Sequence, residues 1–217
     1  MIQNKTNFGR KLSTMVAAVM LASVAAMSLV CCSEKTHKYK IGISQCSDDS
    51  WRQKQNSEFR FMSYINDSVA VDIKSAKDNN AQQAAQIDSL VDEGIDLLVV
   101  CPNQLDGVTK AIDRAYDKGI PVIFFDRTTK SNKYTAFIGC DNYRIGFDLG
   151  TYIANQLNGS GRVVEIRGLE NSSPAKGRHE GFVDALKNYP DVKIVASEAA
   201  DWEQAGAEKA MDKILSK

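Results

Sequence analysis

Seven polar or aromatic side chains follow or flank segments whose apolar pattern predicts β-strands. A carboxylate accepts hydrogen bonds from two neighbouring hydroxyl groups, and a guanidinium donates to two. An indole ring can cover the C–H face of a sugar ring. A buried hydroxyl without a partner costs about 1–3 kcal/mol, so several polar groups must converge on such a ligand. The candidate binding residues are Asp49, Trp51, Arg52, Asp126, Arg127, Arg178 and Trp202.

Each candidate also has a purely structural interpretation. Both tryptophans could be core residues of the neighbouring helices, and Asp49 could cap a helix N-terminus. Asp126 and Arg127 could form a local ion pair at a strand end, and Arg178 could lie on a solvated helix face. The prediction of a binding site therefore depends on whether the fold brings these residues together.

A regular alternation of apolar segments positions the candidates. Strands are predicted over residues 40–44, 69–73, 97–101, 121–125, 136–140, 162–167 and 192–196. Helices are predicted over residues 50–64, 108–118, 143–157, 173–186 and 203–215. A further helix is predicted to begin at the cap Asn80 and to end at residues 93–94. This alternation is typical of parallel βαβ units in an α/β fold. Such sheets bind ligands at the carboxyl ends of their strands.

The composition excludes several function classes. Lys plus Arg and Asp plus Glu each number 27, so the formal charge is zero, which argues against a basic surface that binds nucleic acid. A hydrophobic content of 43% is that of a globular protein rather than a disordered chain. The sequence has no dinucleotide-binding glycine motif after the first strand, no phosphate-binding loop and no nucleophile elbow. We therefore expect a binding protein that is not an enzyme and uses no cofactor.

Three cysteines follow the N-terminal segment, namely Cys46, Cys101 and Cys140. They are far apart in sequence and show no Cys-x-x-Cys spacing, so no metal site is expected. Buried free thiols are the simplest interpretation, while an oxidising compartment would also allow one disulfide. The sequence leaves this choice open.

Residues 1–32 have the pattern of an export signal rather than of a folded domain. Three basic residues precede the segment 15–30, which consists almost wholly of Ala, Val, Met, Leu and Ser. The stretch 28–33 (SLVCCS) resembles a lipoprotein signal, which would place a lipid on Cys32. An uncleaved anchor over 13–32 and simple secretion remain open. In each case the rest of the chain is expected in the periplasm.

Three motifs resemble those of the type I periplasmic sugar-binding family, to which ribose-binding protein belongs. They are residues 120–127 (IPVIFFDR), 178–182 (RHEGF) and 200–202 (ADW), and the similarity runs over most of residues 38–217. The same fold occurs in the sensor domains of lactose-repressor-type proteins. It also forms the periplasmic domains of hybrid two-component sensor kinases.

The resemblance implies a two-lobed fold of parallel sheets flanked by helices. Residues 38–140 would form the N-terminal lobe and 141–217 part of the C-terminal lobe, with Asp141 and Asn142 in the hinge. Members of the family continue for roughly another strand and helix set. The second lobe and the crossovers between lobes are therefore expected to be incomplete, and the chain to be truncated at its C-terminus.

The resemblance also implies a role for each candidate residue. Asp126 and Arg127 would hold ring hydroxyls from the first lobe, and Arg178 from the second. The two indoles would cover the ring faces. Asp49 would make a further hydrogen bond, and Arg52 stands where the family has an aromatic residue, which favours a more polar ligand or a different pose.

The expected function is therefore reversible binding of a monosaccharide between two lobes. It would serve an ABC sugar importer, with a permease as partner and a lipid anchor or N-terminal helix at the membrane. The alternative is the ligand-sensing domain of a hybrid histidine kinase, or a truncated, non-functional fragment of either protein. No nucleic acid is expected as a partner.

Overall fold

The computed structural model describes residues 37–216 and contains seven strands and six helices in that range. The strands are β1 (Tyr39–Gln45), β2 (Val69–Ser75), β3 (Leu97–Val100), β4 (Val122–Phe125), β5 (Ala136–Ile138), β6 (Ser160–Arg167) and β7 (Asp191–Ala199). The helices are α1 (Ser50–Ile65), α2 (Asn80–Asp92), α3 (Thr109–Asp117), α4 (Asn142–Gln156), α5 (Ser173–Leu186) and α6 (Gln204–Leu215). The predicted α/β fold is confirmed.

The first five strands form one parallel sheet in the order β2-β1-β3-β4-β5. Two of its central strands, β3 and β4, are continuous apolar runs, and α2 and α3 pack against them. Leu98, Val100 and Phe124 are fully buried, and they lie in one core cluster with Ile87 and Ile112 from these helices. This packing fixes the strand ends at one edge of the sheet, where the loops that carry function begin.

The last two strands form a second parallel pair, β6-β7, and α4 and α5 pack side by side in parallel, with Gly146 near Arg178 and Gly150 near Ala185. The two helices approach closely because glycine lies at their contact. A Cβ added to Gly146 would lie 2.0 Å from the Arg178 carbonyl oxygen, and one added to Gly181 would lie 2.0 Å from that of Tyr143. The position of Arg178 is therefore set by backbone packing.

The predicted N-cap of α2 is wrong. Asn79, not Asn80, caps α2, since its side chain accepts a hydrogen bond from the Gln82 amide at 3.0 Å. Asn80 instead donates to Gln104 and accepts from Asn103. Two adjacent asparagines are equally good caps in sequence, and contacts beyond the helix decide between them.

The lobe boundaries stay a prediction. The two sheets lie within the expected ranges 38–140 and 141–217, while all described residues belong to one compact unit that begins at His37. None of the helices in this unit is both long and apolar enough to span a bilayer. The predicted export signal and the lipidation site Cys32 lie outside the described residues.

Candidate functional site

The fold brings all seven candidates to one open pocket of about 450 Å³, here called the strand-end pocket. It lies where β1, β4 and β7 end and where α1 and α5 begin. It is lined by Asp49, Ser50, Trp51, Arg52, Asp126, Arg127, Pro174, Arg178, Trp202 and Glu203. Three of these residues, Ser50, Pro174 and Glu203, were not predicted from the sequence, although Ser50 and Glu203 each adjoin a predicted tryptophan.

An ion pair between Arg52 and Asp126 forms the floor of the pocket. Arg52 donates from Nη2 to Oδ2 of Asp126 at 2.5 Å and from Nη1 to Gln55 at 2.9 Å. The Arg52 side chain is only 3% exposed, whereas that of Asp126 is 38% exposed. The pair therefore presents the carboxylate to the pocket and keeps the guanidinium beneath it.

A tight turn after β4 aims the Asp126 carboxylate. Asp126 has φ 62°, in the left-handed region that few residues other than glycine adopt. The Arg127 amide donates to the Phe125 carbonyl at 2.6 Å across this residue, and the Asp126 amide donates to the Ile138 carbonyl at 2.8 Å. Backbone strain of this kind is common at binding sites because the surrounding structure holds the side chain in place.

Arg127 is anchored away from its neighbour. Its Nη1 donates to the Asn103 carbonyl at 3.1 Å, while its Nε lies 4.0 Å from Asp126 Oδ2. Because Asp126 makes its shorter contact with Arg52, the interpretation of Asp126 and Arg127 as merely a local ion pair is wrong. The two residues belong to a three-residue charge group that includes α1.

Asp49 caps α1, so its structural interpretation is confirmed. Its Oδ1 accepts from the Arg52 amide at 2.9 Å, and its Oδ2 accepts from the Ser47 hydroxyl at 2.5 Å. Partial burial raises the pKa of this carboxyl, but the two hydrogen bonds and the Arg52 charge outweigh it and leave the pKa below its usual value. Asp49 is thus ionised at the rim of the pocket, and a ligand contact there stays a prediction.

Neither tryptophan is a core residue. Trp51 is 66% exposed on the first turn of α1, and Trp202 is 44% exposed in the loop before α6. Trp202 has φ 70°, and its ring lies against Gly168, where a Cβ would approach it to 2.3 Å. The indoles are therefore surface groups at the pocket.

Arg178 is exposed but not simply solvated. Its Nε donates to Oδ1 of Asn142 at 2.9 Å, and its guanidinium lies 5.6 Å from the centre of the Trp202 ring. Asp141 caps α4 by accepting from the Arg144 amide at 2.9 Å. The two predicted hinge residues thus begin α4, and one of them orients a predicted ligand contact.

Two buried cysteines lie beneath the floor. The Sγ atoms of Cys46 and Cys101 are 3.6 Å apart, and Cys101 Sγ lies 3.8 Å from Oδ2 of Asp126. Both are buried free thiols, as the simplest interpretation of the sequence predicted. For Cys140 the expected burial is wrong, since it is a free thiol that is exposed. Within residues 37–216, no three His, Cys, Asp or Glu side chains are grouped so as to hold a metal ion.

A second cavity of about 240 Å³ lies between α4, α5 and β6. Arg178 and Trp202 border it as well, but much of its wall is apolar, with Leu149, Val164 and Phe182 among the lining residues. A polyol needs several hydrogen-bond partners, so the strand-end pocket fits it better.

Comparison with known proteins gives a consistent result. The family model of the periplasmic binding protein domain matches residues 43–217. The xylitol-binding protein of Mycolicibacterium smegmatis is 29% identical over 142 residues, which are 65% of this chain and 41% of that protein. A galactofuranose-binding protein of Escherichia coli is 24% identical over 206 residues, or 93% of this chain and 63% of that protein.

A solved structure is more similar in sequence than these two. The fructose-binding periplasmic domain of a hybrid two-component system is 46% identical, with a TM-score of 0.78 over 82% of this chain and 59% of that chain. The chain therefore spans between about two fifths and two thirds of the length of these relatives.

Proposed function

Because the chain belongs to the family of periplasmic binding protein domains, we propose that it binds a monosaccharide reversibly in the strand-end pocket, without catalysing a reaction. One observation carries this proposal: two exposed indoles and a fixed carboxylate–guanidinium pair border the same cavity. Relatives that are named for binding xylitol, galactofuranose and fructose support it.

The polar groups have capacity left for a ligand. Both Arg52 and the Cys101 thiol contact Oδ2 of Asp126, and no hydrogen bond within residues 37–216 uses its Oδ1. Arg127 and Arg178 each use one nitrogen for a protein hydrogen bond, which leaves further N–H groups for hydroxyls. Arg52 spends both terminal nitrogens on Asp126 and Gln55, so it serves chiefly to hold Asp126 in place.

Two physiological roles are compatible with this binding. In the first, the domain is the substrate-binding protein of an ABC sugar importer, and relatives that are named as ribose import binding proteins support this role. In the second, it senses a sugar for a hybrid two-component system, and the 46% identity to such a fructose-binding domain favours this role. Two measurements separate these roles. Loss of sugar uptake in cells that lack the gene would support the importer, and sugar-dependent phosphorylation of a histidine kinase would support the sensor.

The proposed location is the periplasm, with a lipid on Cys32 or an uncleaved N-terminal helix as anchor. Mass spectrometry of the N-terminal peptide tests the lipid directly. If a lipid on Cys32 anchors the protein, the Cys32→Ser variant should be lost from the membrane fraction. If an uncleaved helix anchors it, the variant should stay in that fraction.

Calorimetric titration of the full chain tests the binding proposal. Fructose, ribose, arabinose, galactose and xylitol form the first panel. Trp51→Ala should weaken binding of the best sugar by about 1 kcal/mol, or roughly fivefold in Kd, because one ring contact is lost. Tyr64→Ala is the matched control, since Tyr64 is an exposed aromatic residue near the other end of α1 and outside the pocket. Absence of binding to every sugar, or equal effects of the two variants, would contradict the proposal.

A further inference from the structure

The two thiols under the strand-end pocket lie on neighbouring strands of the first sheet. Cys46 directly follows β1 and Cys101 directly follows β3. These strands pair in parallel, with Ser44 opposite Val100, and the Cys101 amide donates to the Ser44 carbonyl at 2.9 Å. The backbone therefore fixes the two cysteines next to each other, and their Sγ atoms are already in van der Waals contact at 3.6 Å.

We propose that Cys46 and Cys101 form a reversible disulfide beneath the strand-end pocket, and that forming it weakens ligand binding by removing a hydrogen-bond donor from Asp126. A disulfide needs an S–S distance of about 2.0 Å, so the sulfurs must approach by about 1.6 Å. Rotation about the two Cα–Cβ bonds can supply part of this approach without moving either strand. The second half of the proposal rests on the proposed function, whereas the first half does not.

The surroundings favour a reactive thiolate on one of the two sulfurs. The hydrogen bond with Cys101, together with the charges of Arg127 and Arg52, lowers the pKa of Cys46 to about 6 against the effect of burial. Burial and the neighbouring Cys46 raise the pKa of Cys101. A thiolate beside a protonated thiol is the arrangement from which thiol–disulfide exchange proceeds.

The step balances with a disulfide oxidant such as glutathione disulfide. The Cys46 thiolate attacks one sulfur of the oxidant, and a glutathione thiolate leaves and takes up a proton. Cys101 then loses its proton and attacks Cys46 Sγ, which displaces the second glutathione. Two protein thiols become one disulfide, and one glutathione disulfide becomes two thiols. Because both sulfurs are fully buried, the exchange takes place during folding or through opening of the loop between β1 and α1.

The link to the pocket is the contact between Cys101 and Asp126. In the reduced protein the single Cys101 thiol proton faces two acceptors, Cys46 Sγ at 3.6 Å and Asp126 Oδ2 at 3.8 Å, and the latter is the same oxygen that accepts from Arg52. The disulfide has no proton to donate, and it also removes the negative charge of Cys46 from beside Arg52. Asp126 then balances more of the positive charge of the buried Arg52 guanidinium. It therefore accepts a hydrogen bond from a sugar hydroxyl less strongly. A thiol is a weak donor, but the loss of its proton and the loss of the Cys46 charge act on the same carboxylate, so together we expect roughly a two- to tenfold loss of affinity.

Peptide mapping of the full chain tests the disulfide without any ligand. The protein is refolded in a buffer of reduced and oxidised glutathione, remaining thiols are alkylated, and the protein is digested with trypsin. Cys46 falls in the peptide 41–52, Cys101 in 78–110 and Cys140 in 134–144. We expect the first two peptides to be joined, two hydrogen atoms lighter than their sum, and to separate with dithiothreitol. The exposed Cys140 serves as the internal control and should form only a mixed disulfide.

If Cys46 and Cys101 stay alkylatable, or carry only glutathione, while Cys140 has reacted, the disulfide proposal is wrong. Titration of the oxidised and reduced forms with the best sugar then tests the regulation. The oxidised form should bind two- to tenfold more weakly, and the Cys101→Ser variant should lose this sensitivity to oxidation. Equal affinity of linked and reduced protein would refute the regulation alone. Absence of binding by both forms would refute the proposed function and leave the mapping result unaffected.

Discussion

The ion pair in the floor of the strand-end pocket should respond unequally to loss of its two members. Arg52 is 3% exposed and Asp126 is 38% exposed, so only the carboxylate has ready access to water. Asp126→Asn keeps the shape of the side chain and tolerates the left-handed backbone at this position, because Asn adopts that region as readily as Asp. The substitution removes the charge and leaves the Arg52 guanidinium buried.

The magnitude follows from the exposure of the two groups. Breaking a fully buried pair by neutralising one partner costs about 3–5 kcal/mol, and a fully exposed pair costs about 0–1 kcal/mol. Because water reaches one side of this pair, we expect Asp126→Asn to lower the free energy of unfolding by about 2 kcal/mol. Arg52→Met keeps most of the buried side-chain volume and frees a carboxylate that water can solvate, so its cost should be about 1 kcal/mol or less.

Urea unfolding followed by far-UV circular dichroism measures both values. Glu58→Gln is the matched control, since Glu58 pairs with Lys54 on the exposed side of the same helix α1. That variant should unfold like the unmodified protein. If Arg52→Met is the more destabilising of the two floor substitutions, or if Asp126→Asn matches the control, the assignment of a buried guanidinium that depends on Asp126 is refuted.

Three further predictions concern helix packing, capping and titration. Gly181→Ala should destabilise the protein by about 1–3 kcal/mol, because its Cβ would meet the Tyr143 carbonyl oxygen at 2.0 Å, whereas Gly177→Ala in the same helix meets nothing closer than 3.2 Å and should cost clearly less in urea unfolding. Asp49→Ala should cost about 1 kcal/mol of stability and Asp49→Asn much less, since Asn also caps helices; a larger loss for Asn than for Ala would rule out the cap. The pKa of Cys46 is lowered from 9.0 to about 6, so its contribution to stability is present above pH 9 and lost as the pH falls through 6. The unfolding free energy of the reduced protein should therefore rise between pH 6 and 9, and a rise of the same size in Cys46→Ser would contradict this.

The secondary structure could be predicted from the sequence because its local signals agree. The apolar run of β3 and the Ser-Pro start of α5 each have one structural interpretation, and the start of α5 is predicted to the residue. β7 extends three residues beyond the predicted end. Ser197 and Glu198 carry no strand signal of their own, and they are held by pairing with Glu165 and Ile166 of β6. The end of β7 therefore depends on pairing with β6, and the local sequence alone does not predict it.

The composition of the pocket could also be predicted, but its internal contacts could not. Parallel strands place their carboxyl ends together, so residues that follow strands converge whatever the order of the strands. The order itself decides which of them touch. Cys46 meets Cys101 because β3 lies beside β1, and Arg52 reaches Asp126 across 74 positions of sequence. The two adjacent residues Asp126 and Arg127 suggested a local pair, whereas the positive φ at Asp126 turns its carboxylate towards α1.

These contacts divide the strand-end pocket into two parts with different physical roles. The floor consists of charged groups whose hydrogen bonds to protein atoms are already made, so it presents a fixed pattern to any ligand and loses little entropy on binding. The walls are Trp51 and Trp202, which are more than two fifths exposed and gain contact area only when a ligand covers them. A fixed polar pattern distinguishes one arrangement of hydroxyls from another, while apolar area adds affinity to every ring that fits.

The loop after β4 connects the two polar sides of the pocket, because its Thr128 amide donates to the Ser173 hydroxyl at the start of α5 at 2.8 Å. The turn that aims Asp126 is thereby tied to the helix that carries Arg178, so both polar sides of the pocket depend on the same few loop contacts.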